Sequence, residues 1–405
     1  MFELVEKLTT STNSNKQSSL ASALFYQSKQ GLNFVQEAFR FEGLPLTVVK
    51  PYSEEAVLKS KSEHELGLLM FDFTQANNIH QEALKLSSII PTSARVVIIG
   101  TENTITIIRQ LRELGFYYVL WPVAADEFIS FLSNANSTTG KKEVGLPQRQ
   151  AKRIRVIGSK GGVGATLIAS ELSKVLSHQN LSQCVLVDHN YWGGNLDIMM
   201  GLADFQKRDI SVSTFGTGID QTSAHSMLKQ AKSSLSLLSL TSKSKALTEL
   251  SDYTKTVADH LAFEANFIIE DFPMSVAFHN PNLSDATDTV IMIVSPTVSS
   301  LRDAGLLKQT ITESASGTPP RIILVVNYVM PSKYATVTLE EVKAHLNQDI
   351  DIVLPHLKQI NQLIIHNNNK KLLSSSFGRG LQQLSAKILG RSNKKTRFSL
   401  FSRGN

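Results

Sequence analysis

The chain of 405 residues has one cysteine and two tryptophans. A lone thiol closes no intramolecular disulfide, and Cys184, inside the apolar run CVLVD, reads as a buried core residue. Neither cysteine nor the scattered histidines offer the spacing of a metal site. No stretch approaches eighteen uncharged apolar residues, so no transmembrane helix is expected. The first residues, MFELVEKLTTSTNSNKQSS, carry acids and no long apolar core, which argues against a secretory signal and for a cytoplasmic protein. A strong excess of one charge is missing too. Lys plus Arg at 41 against Asp plus Glu at 35 gives +6, too little to argue for nucleic acid.

What is present is ample apolar content, 42% hydrophobic residues over a length that suggests two domains. The organising stretch is VIGSKGGVGATLIASEL, residues 156–172. A short apolar strand runs into Gly158, Gly161, Gly162 and Gly164. Thr166 and Leu167 then open a helix-periodic run. Glycines let backbone N–H groups face inward, and the helix N-terminus favours an anion, so this is a phosphate-binding loop by context as well as by letters. Two positions depart from the usual pattern. Ser159 stands at the first glycine, and Ala165, between Gly164 and Thr166, replaces the lysine that normally reaches the terminal phosphates. A different lysine, Lys160, precedes Gly161, Gly162 and Val163.

Downstream, the strand CVLVD ends in Asp188, followed by Asn190 and the segment Asn195-Leu196-Asp197. The strand NFIIED ends in Asp271, suited to accept from a Mg²⁺-bound water, and Pro273 follows. Ser300-Leu301-Arg302-Asp303 opens a helix, and RIILVV leads to Asn327, whose amide suits the donor and acceptor of an adenine edge or the cap of a turn. SSLSLLSL reads as an edge strand, and Lys229, Lys232, Lys243 and Lys245 beside it as a solvated face or a partner surface. In the C-terminal helix over 372–389, Leu373, Phe377, Leu381, Leu384 and Ile388 form a docking stripe that Gly378 and Gly380 interrupt.

Residues 21–132 alternate between strand and helix patterns five times, which predicts a small doubly wound α/β domain. Its period resembles a response-regulator receiver. Asp72 ends the third strand, where a receiver carries its phosphoacceptor, and Thr101 follows the fourth, near the switch hydroxyl. Trp121-Pro122 ends the fifth, where a receiver has Lys-Pro. The acid pair that would hold Mg²⁺ after the first strand is absent, so Asp72 is expected to be a structural or surface carboxylate. The remaining segments are a leader (1–20), a Ser/Asn/Gly-rich linker (133–150), a second domain (151–389) and a basic tail (390–405) with interleaved Phe398, Leu400 and Phe401.

KGGVGAT, with Asp188, Asn190, Asp271, the 300–303 segment and Asn327, resembles the MinD/ParA superfamily. The expected fold is therefore α/β, a receiver-like doubly wound domain followed by a MinD/ParA-like P-loop NTPase domain. The resemblance implies ATP and Mg²⁺ as cofactors. Lys160, Gly161, Gly162, Val163, Gly164, Ala165, Thr166, Leu167 and Asn327 would hold the nucleotide, and Thr166, Asp188 and Asp271 the metal. It also implies a homodimer in which Lys160 reaches the partner's nucleotide. Asp188 and Asn190 form a degenerate catalytic pair, because the amide cannot accept a proton, so at most weak ATPase activity is expected. A receiver-like domain with a degenerate Asp72, Thr101 and Trp121 site, joined to such an ATPase, resembles the TadZ/CpaE family of pilus-assembly proteins. That implies a localisation and assembly factor for a tight-adherence (Flp) pilus secretion machinery. Its partners would be that machinery's proteins, and it would lie at a pole or at the inner membrane, the basic tail offering a contact with anionic lipid. The alternative is a DNA-partitioning or division-positioning ATPase of the ParA or MinD kind.

Overall fold

The computed structural model describes residues 21–136, 149–179, 182–202, 204–210, 218–244, 246–277, 289–315, 319–366 and 368–391. The leader, most of the linker, Lys245 and the tail beyond Arg391 lie outside the described residues. The chain divides into two compact units, Met1–Leu86 with Ser93–Gln148, and Ser87–Thr92 with Arg149–Asn405.

The first unit alternates β1 (Ala21–Tyr26), α1 (Lys29–Phe41), β2 (Val48–Pro51), α2 (Glu54–Glu63), β3 (Leu66–Asp72), α3 (Ile79–Ile89), β4 (Arg95–Gly100), α4 (Ile105–Glu113), β5 (Tyr117–Leu120) and α5 (Ala125–Asn136). All strand pairs are parallel, in the order β2-β1-β3-β4-β5. This 2-1-3-4-5 order is one of the two common orders of doubly wound sheets. Helix starts follow from side-chain caps: Ser28, Ser53 and Thr104, each in extended backbone, accept from amides three residues on. Val35, Ala38 and Phe39, spaced to fall on one face of α1, bury against Leu24 and Met70 of the sheet. The centre of β3 and nearly all of β4 are apolar and buried, as strands covered on both faces must be. Burying each such Leu, Val or Ile contributes roughly 1.5–3 kcal/mol.

The second unit contains β6 (Lys152–Gly158), α6 (Ala165–Gln179), β7 (Cys184–Asp188), α7 (Leu196–Met200), β8 (Arg208–Asp209), α8 (Gln221–Ser226), β9 (Lys229–Lys232), β10 (Leu235–Thr241), α9 (Leu247–Leu261), β11 (Phe267–Phe272), α10 (Met274–Ala277), β12 (Thr289–Val294), α11 (Val298–Glu313), β13 (Arg321–Asn327), α12 (Leu339–Leu346), β14 (Ile352–Leu354), α13 (Ile360–Ile365), α14 (Asn369–Ser374) and α15 (Ser376–Ile388). Its parallel sheet runs β14-β13-β12-β6-β11-β7-β10-β8, with β9 antiparallel to β10. Strand alternation sends Ile154, Val156, Leu186 and Ile269 into the face covered by α6 and α15. Ile157, Met292 and Leu324 go to the face covered by α11 and α12, and Val187, Leu238 and Ile268 to a cluster under α9.

Two expectations are corrected here. SSLSLLSL is not an edge: β10 pairs with β7 on one side and with β8 and β9 on the other. The C-terminal segment is two helices, broken at Ser375, whose Oγ caps α15 by accepting from Gly378 N. Gly378 and Gly380 lie buried inside α15 and interrupt nothing. A Cβ on Gly378 would sit 2.2 Å from the Leu372 carbonyl oxygen, so the glycine permits the close turn between α14 and α15. The inward residue of α14 is Leu372, with Leu373 only half-buried.

Candidate functional site

Parallel register sets Val156, Asp271 and Asp188 level with one another across β6, β11 and β7, at the carboxyl ends where doubly wound sheets bind ligands. From β6 the chain must turn sharply into α6. Gly162 (φ 83°) and Gly164 (φ 91°) supply the left-handed backbone for that turn. The loop is fastened from below. Asn327, buried at the end of β13, donates Nδ2 to the Val163 carbonyl at 2.8 Å. A Cβ on Gly164 would come within 2.6 Å of that Nδ2. Ser159 is fully buried; its N–H donates to the Ile293 carbonyl at 2.8 Å, and its Oγ lies 2.7 Å from Ser300 Oγ. The serine at the first glycine position thus turns away from the loop's inner side and ties it to α11.

A cavity of about 520 Å³ opens over this loop and the start of α6, within the usual range for a small-molecule site. Residues from Lys160 to Leu167 line it, facing Asn190, Asn195 and Asp271. A Cβ on Gly161 or Gly162 would meet nothing within 4 Å, so the cradle has room beside the backbone. The N-terminus of α6 adds its dipole and free N–H groups, a setting for an anion.

Asp271 is buried at the rim of this cavity, which Thr166 also lines. Its carboxyl is pushed up to about 7: burial is the main cause and the Asp188 charge adds to it, while Thr166 and Lys207 act in the opposite sense. Among the described residues no group of three or more His, Cys, Asp or Glu side chains is placed to hold a metal ion. One hydroxyl and one carboxylate instead fit a Mg²⁺ that keeps waters and takes its remaining ligands from phosphate oxygens.

Asp188 is placed differently from Asp271. Its Oδ2 accepts from Lys207 Nζ at 2.5 Å and Ser239 Oγ at 2.8 Å, and its Oδ1 from the Asn190 amide at 2.9 Å. It faces a neighbouring cavity of about 430 Å³ that Lys207, Trp192 and Asp197 also line, not the phosphate cavity. The catalytic pair expected from sequence is therefore split: Asn190 lines the phosphate cavity and Asp188 stands behind it. Lys207 went unnoticed in the sequence because the 206–250 region shows no motif.

A second group missed in the sequence lies on the opposite face of β6, β7 and β11. Arg155 Nε donates to Glu270 Oε2 at 2.6 Å, and His189 Nε2 lies 3.5 Å from Glu270 Oε1. His189 Nδ1 lies 2.9 Å from the Tyr191 hydroxyl. Burial opposes ionisation of Glu270, yet Arg155 foremost, with His189 and Arg153, holds its carboxyl far below the usual range. This network locks the strand ends that carry Asp188 and Asp271. Alternation of Arg153 and Arg155 in β6 was the available signal.

In the first unit, Asp72 is fully buried. Its Oδ2 accepts from Ser28 N at 2.8 Å, Ser28 Oγ at 2.7 Å and Gln27 N at 3.2 Å, and its Oδ1 from Thr74 N at 3.1 Å and Thr74 Oγ1 at 2.6 Å. A Cβ on Gly31 would sit 2.5 Å from Oδ2, so α1 presses directly on the carboxylate. Thr101 is exposed in the turn after β4. Trp121 packs edge-on against Phe34 at 4.9 Å. The structure gathers donors around Asp72 without either of them.

No family model matches the chain. The septum site-determining protein MinD of Bacillus subtilis is 25% identical over 202 residues, 49% of this chain and 73% of that protein. The ParA family ATPase of Chlorobium tepidum is a similar solved structure, with a TM-score of 0.49 and 19% identity over 58% of this chain and 98% of that one. The MinD cell division protein of Aquifex aeolicus has a TM-score of 0.47 and 20% identity over 60% of this chain and 98% of its own. The sequence likeness to MinD supports homology to the MinD/ParA superfamily of P-loop ATPases.

Proposed function

We propose that the second unit binds ATP with Mg²⁺ and hydrolyses it slowly or not at all. The observation that carries this reading is the open glycine loop at the start of α6, with the Thr166 and Asp271 pair at its rim. Backbone N–H groups of residues 161–166 would hold the β- and γ-phosphates. Thr166 and Asp271 would hold the Mg²⁺, whose charge offsets that of the phosphates. Ala165 supplies no ammonium, and Asn190 orients a water without accepting its proton, so two contributions to phosphoryl transfer are absent. Asn327 spends its Nδ2 on the Val163 carbonyl beneath the loop, which leaves its amide oxygen as the atom that would meet an adenine edge. Lys160 is exposed on the loop, where it could cross a two-fold face to a partner's nucleotide.

The cellular role we infer is placement and assembly of a tight-adherence pilus secretion machinery, in the cytoplasm or at the inner membrane. It is supported by the pairing of a P-loop unit lacking its usual lysine with a doubly wound unit whose Asp72 is closed off by its own donors. Division-site positioning is the second reading, favoured by the likeness to MinD. Calorimetry on the full chain tests the first level: ATP with Mg²⁺ should bind, and no heat at millimolar nucleotide would refute it. Deleting the gene separates the two roles. Dispersal of a tagged pilus secretion ATPase supports pilus placement, whereas misplaced septa with normal pili support the second reading.

A further inference from the structure

The phosphate loop has no lysine at Ala165, yet a cation stands immediately behind the site. Lys207, just before β8, carries Nζ to Asp188 Oδ2 and to the carbonyl oxygen of Asn190. Its side chain keeps 20% exposure against 3% for Asp188, so the ammonium retains some water while the carboxylate has almost none. Asp188 lies level with Asp271 across β7 and β11. Without a cation, two largely buried carboxylates would stand level on the same face of adjacent strands. Asn190, whose carbonyl Lys207 holds, lines the phosphate cavity, and Lys207 does not. The lysine is thus one residue behind the cavity lining, held there through the Asn190 carbonyl.

We propose that Lys207 is a positioning residue of the nucleotide site, its ammonium cancelling the Asp188 charge from behind the Asn190 turn so that a loop without its own lysine admits a polyphosphate. This rests on the nucleotide reading above. The charge and the geometry act together: Lys207 grips both the carboxylate that starts the turn and the carbonyl that shapes it. An electrostatic role leaves a mark that a structural one does not. Free ATP carries more negative charge than its Mg²⁺ complex, so loss of a nearby positive charge weakens free ATP more.

The test uses the full chain as wild type, Lys207→Met, Lys207→Arg and Asp188→Asn, each titrated with ATP in excess Mg²⁺ and again in EDTA. Thermal melts without nucleotide accompany each titration. Lys207→Met should weaken ATP about tenfold in EDTA and about threefold or less with Mg²⁺, a through-space effect of one charge. Lys207→Arg should keep most of the affinity in both conditions. Asp188→Asn, which leaves the ammonium unopposed, should tighten ATP in EDTA, and it carries the test if Lys207→Met does not fold. Equal weakening in both conditions, or an EDTA affinity that neither charge change moves, overturns the proposal. A wild type that binds ATP in neither condition overturns the nucleotide reading itself.

Discussion

Asp72 and Asp271 occupy the same kind of position, the carboxyl end of a central parallel strand in a doubly wound sheet, and their surroundings make them opposites. Around Asp72, three N–H groups and two hydroxyls use up both oxygens, and α1 presses close enough that Gly31 has no room for a Cβ. Asp271 instead shares with Thr166 the lining of a cavity of about 520 Å³. One carboxylate has spent its charge on the fold. The other is held in a costly state that an incoming cation would relieve. Topology places both acids at a ligand-binding edge, but the loops decide whether anything can bind.

The largest effect that sharpens this contrast is expected from Asp271→Asn. It should weaken Mg²⁺-ATP about a hundredfold by removing the carboxylate that holds the metal's water. The same change should raise the stability of the nucleotide-free protein at pH 8 by about 2 kcal/mol, because a poorly compensated buried charge disappears. Calorimetry and chemical denaturation read the two. A stability loss with unchanged affinity would reverse the assignment.

Asp72→Ala is expected to act the other way round. Donors from Ser28, Gln27 and Thr74 lose their acceptor, so about 3 kcal/mol of stability should go while ATP affinity stays within twofold. Incubation of the wild type with acetyl phosphate should leave no acyl phosphate on Asp72, and a labelled aspartate there would break the comparison.

The sequence was most informative where function depends on neighbours in the chain. The turn from Gly158 to Thr166 and the apolar strand ending in Asp271 announce themselves by local spacing, as do the five strand and helix alternations of the first unit. Lys207 and Asp188, and Arg155 and Glu270, do not, because those partners meet only once the order β6-β11-β7-β10 is known. Gly378 looked like a helix interruption because a packing glycine and a breaking glycine are the same letter; only the Leu372 carbonyl 2.2 Å from its would-be Cβ tells them apart. SSLSLLSL, rich in serine, looked like an edge. Its serines have uses inside the sheet instead, Ser239 donating to Asp188.

A smaller effect is expected from pH. The Asp271 carboxyl titrates near 7, so Mg²⁺-ATP affinity should fall about tenfold between pH 8 and pH 6 as the acid takes up its proton. For stability the sign is the reverse. Between the ordinary carboxyl pKa and about 7 the folded state holds a proton that the unfolded chain has released, so this group's contribution falls as pH rises through that window. Affinity measured across pH for wild type and Asp271→Asn isolates the term, and a flat wild-type profile would remove it. The smallest change is expected from Gly164→Ala, about 1–2 kcal/mol of stability, from the left-handed backbone and the crowding against Asn327. A melt unchanged from wild type would show that the loop is not under that constraint.

Hydrogen–deuterium exchange on the full chain, with and without ATP and Mg²⁺, reads both acids in one measurement. The account predicts new protection across residues 158–167 and 190–195, with residues 27–31 and 72–74 unchanged. Protection appearing around Asp72, or none in the glycine loop at saturating nucleotide, would contradict it.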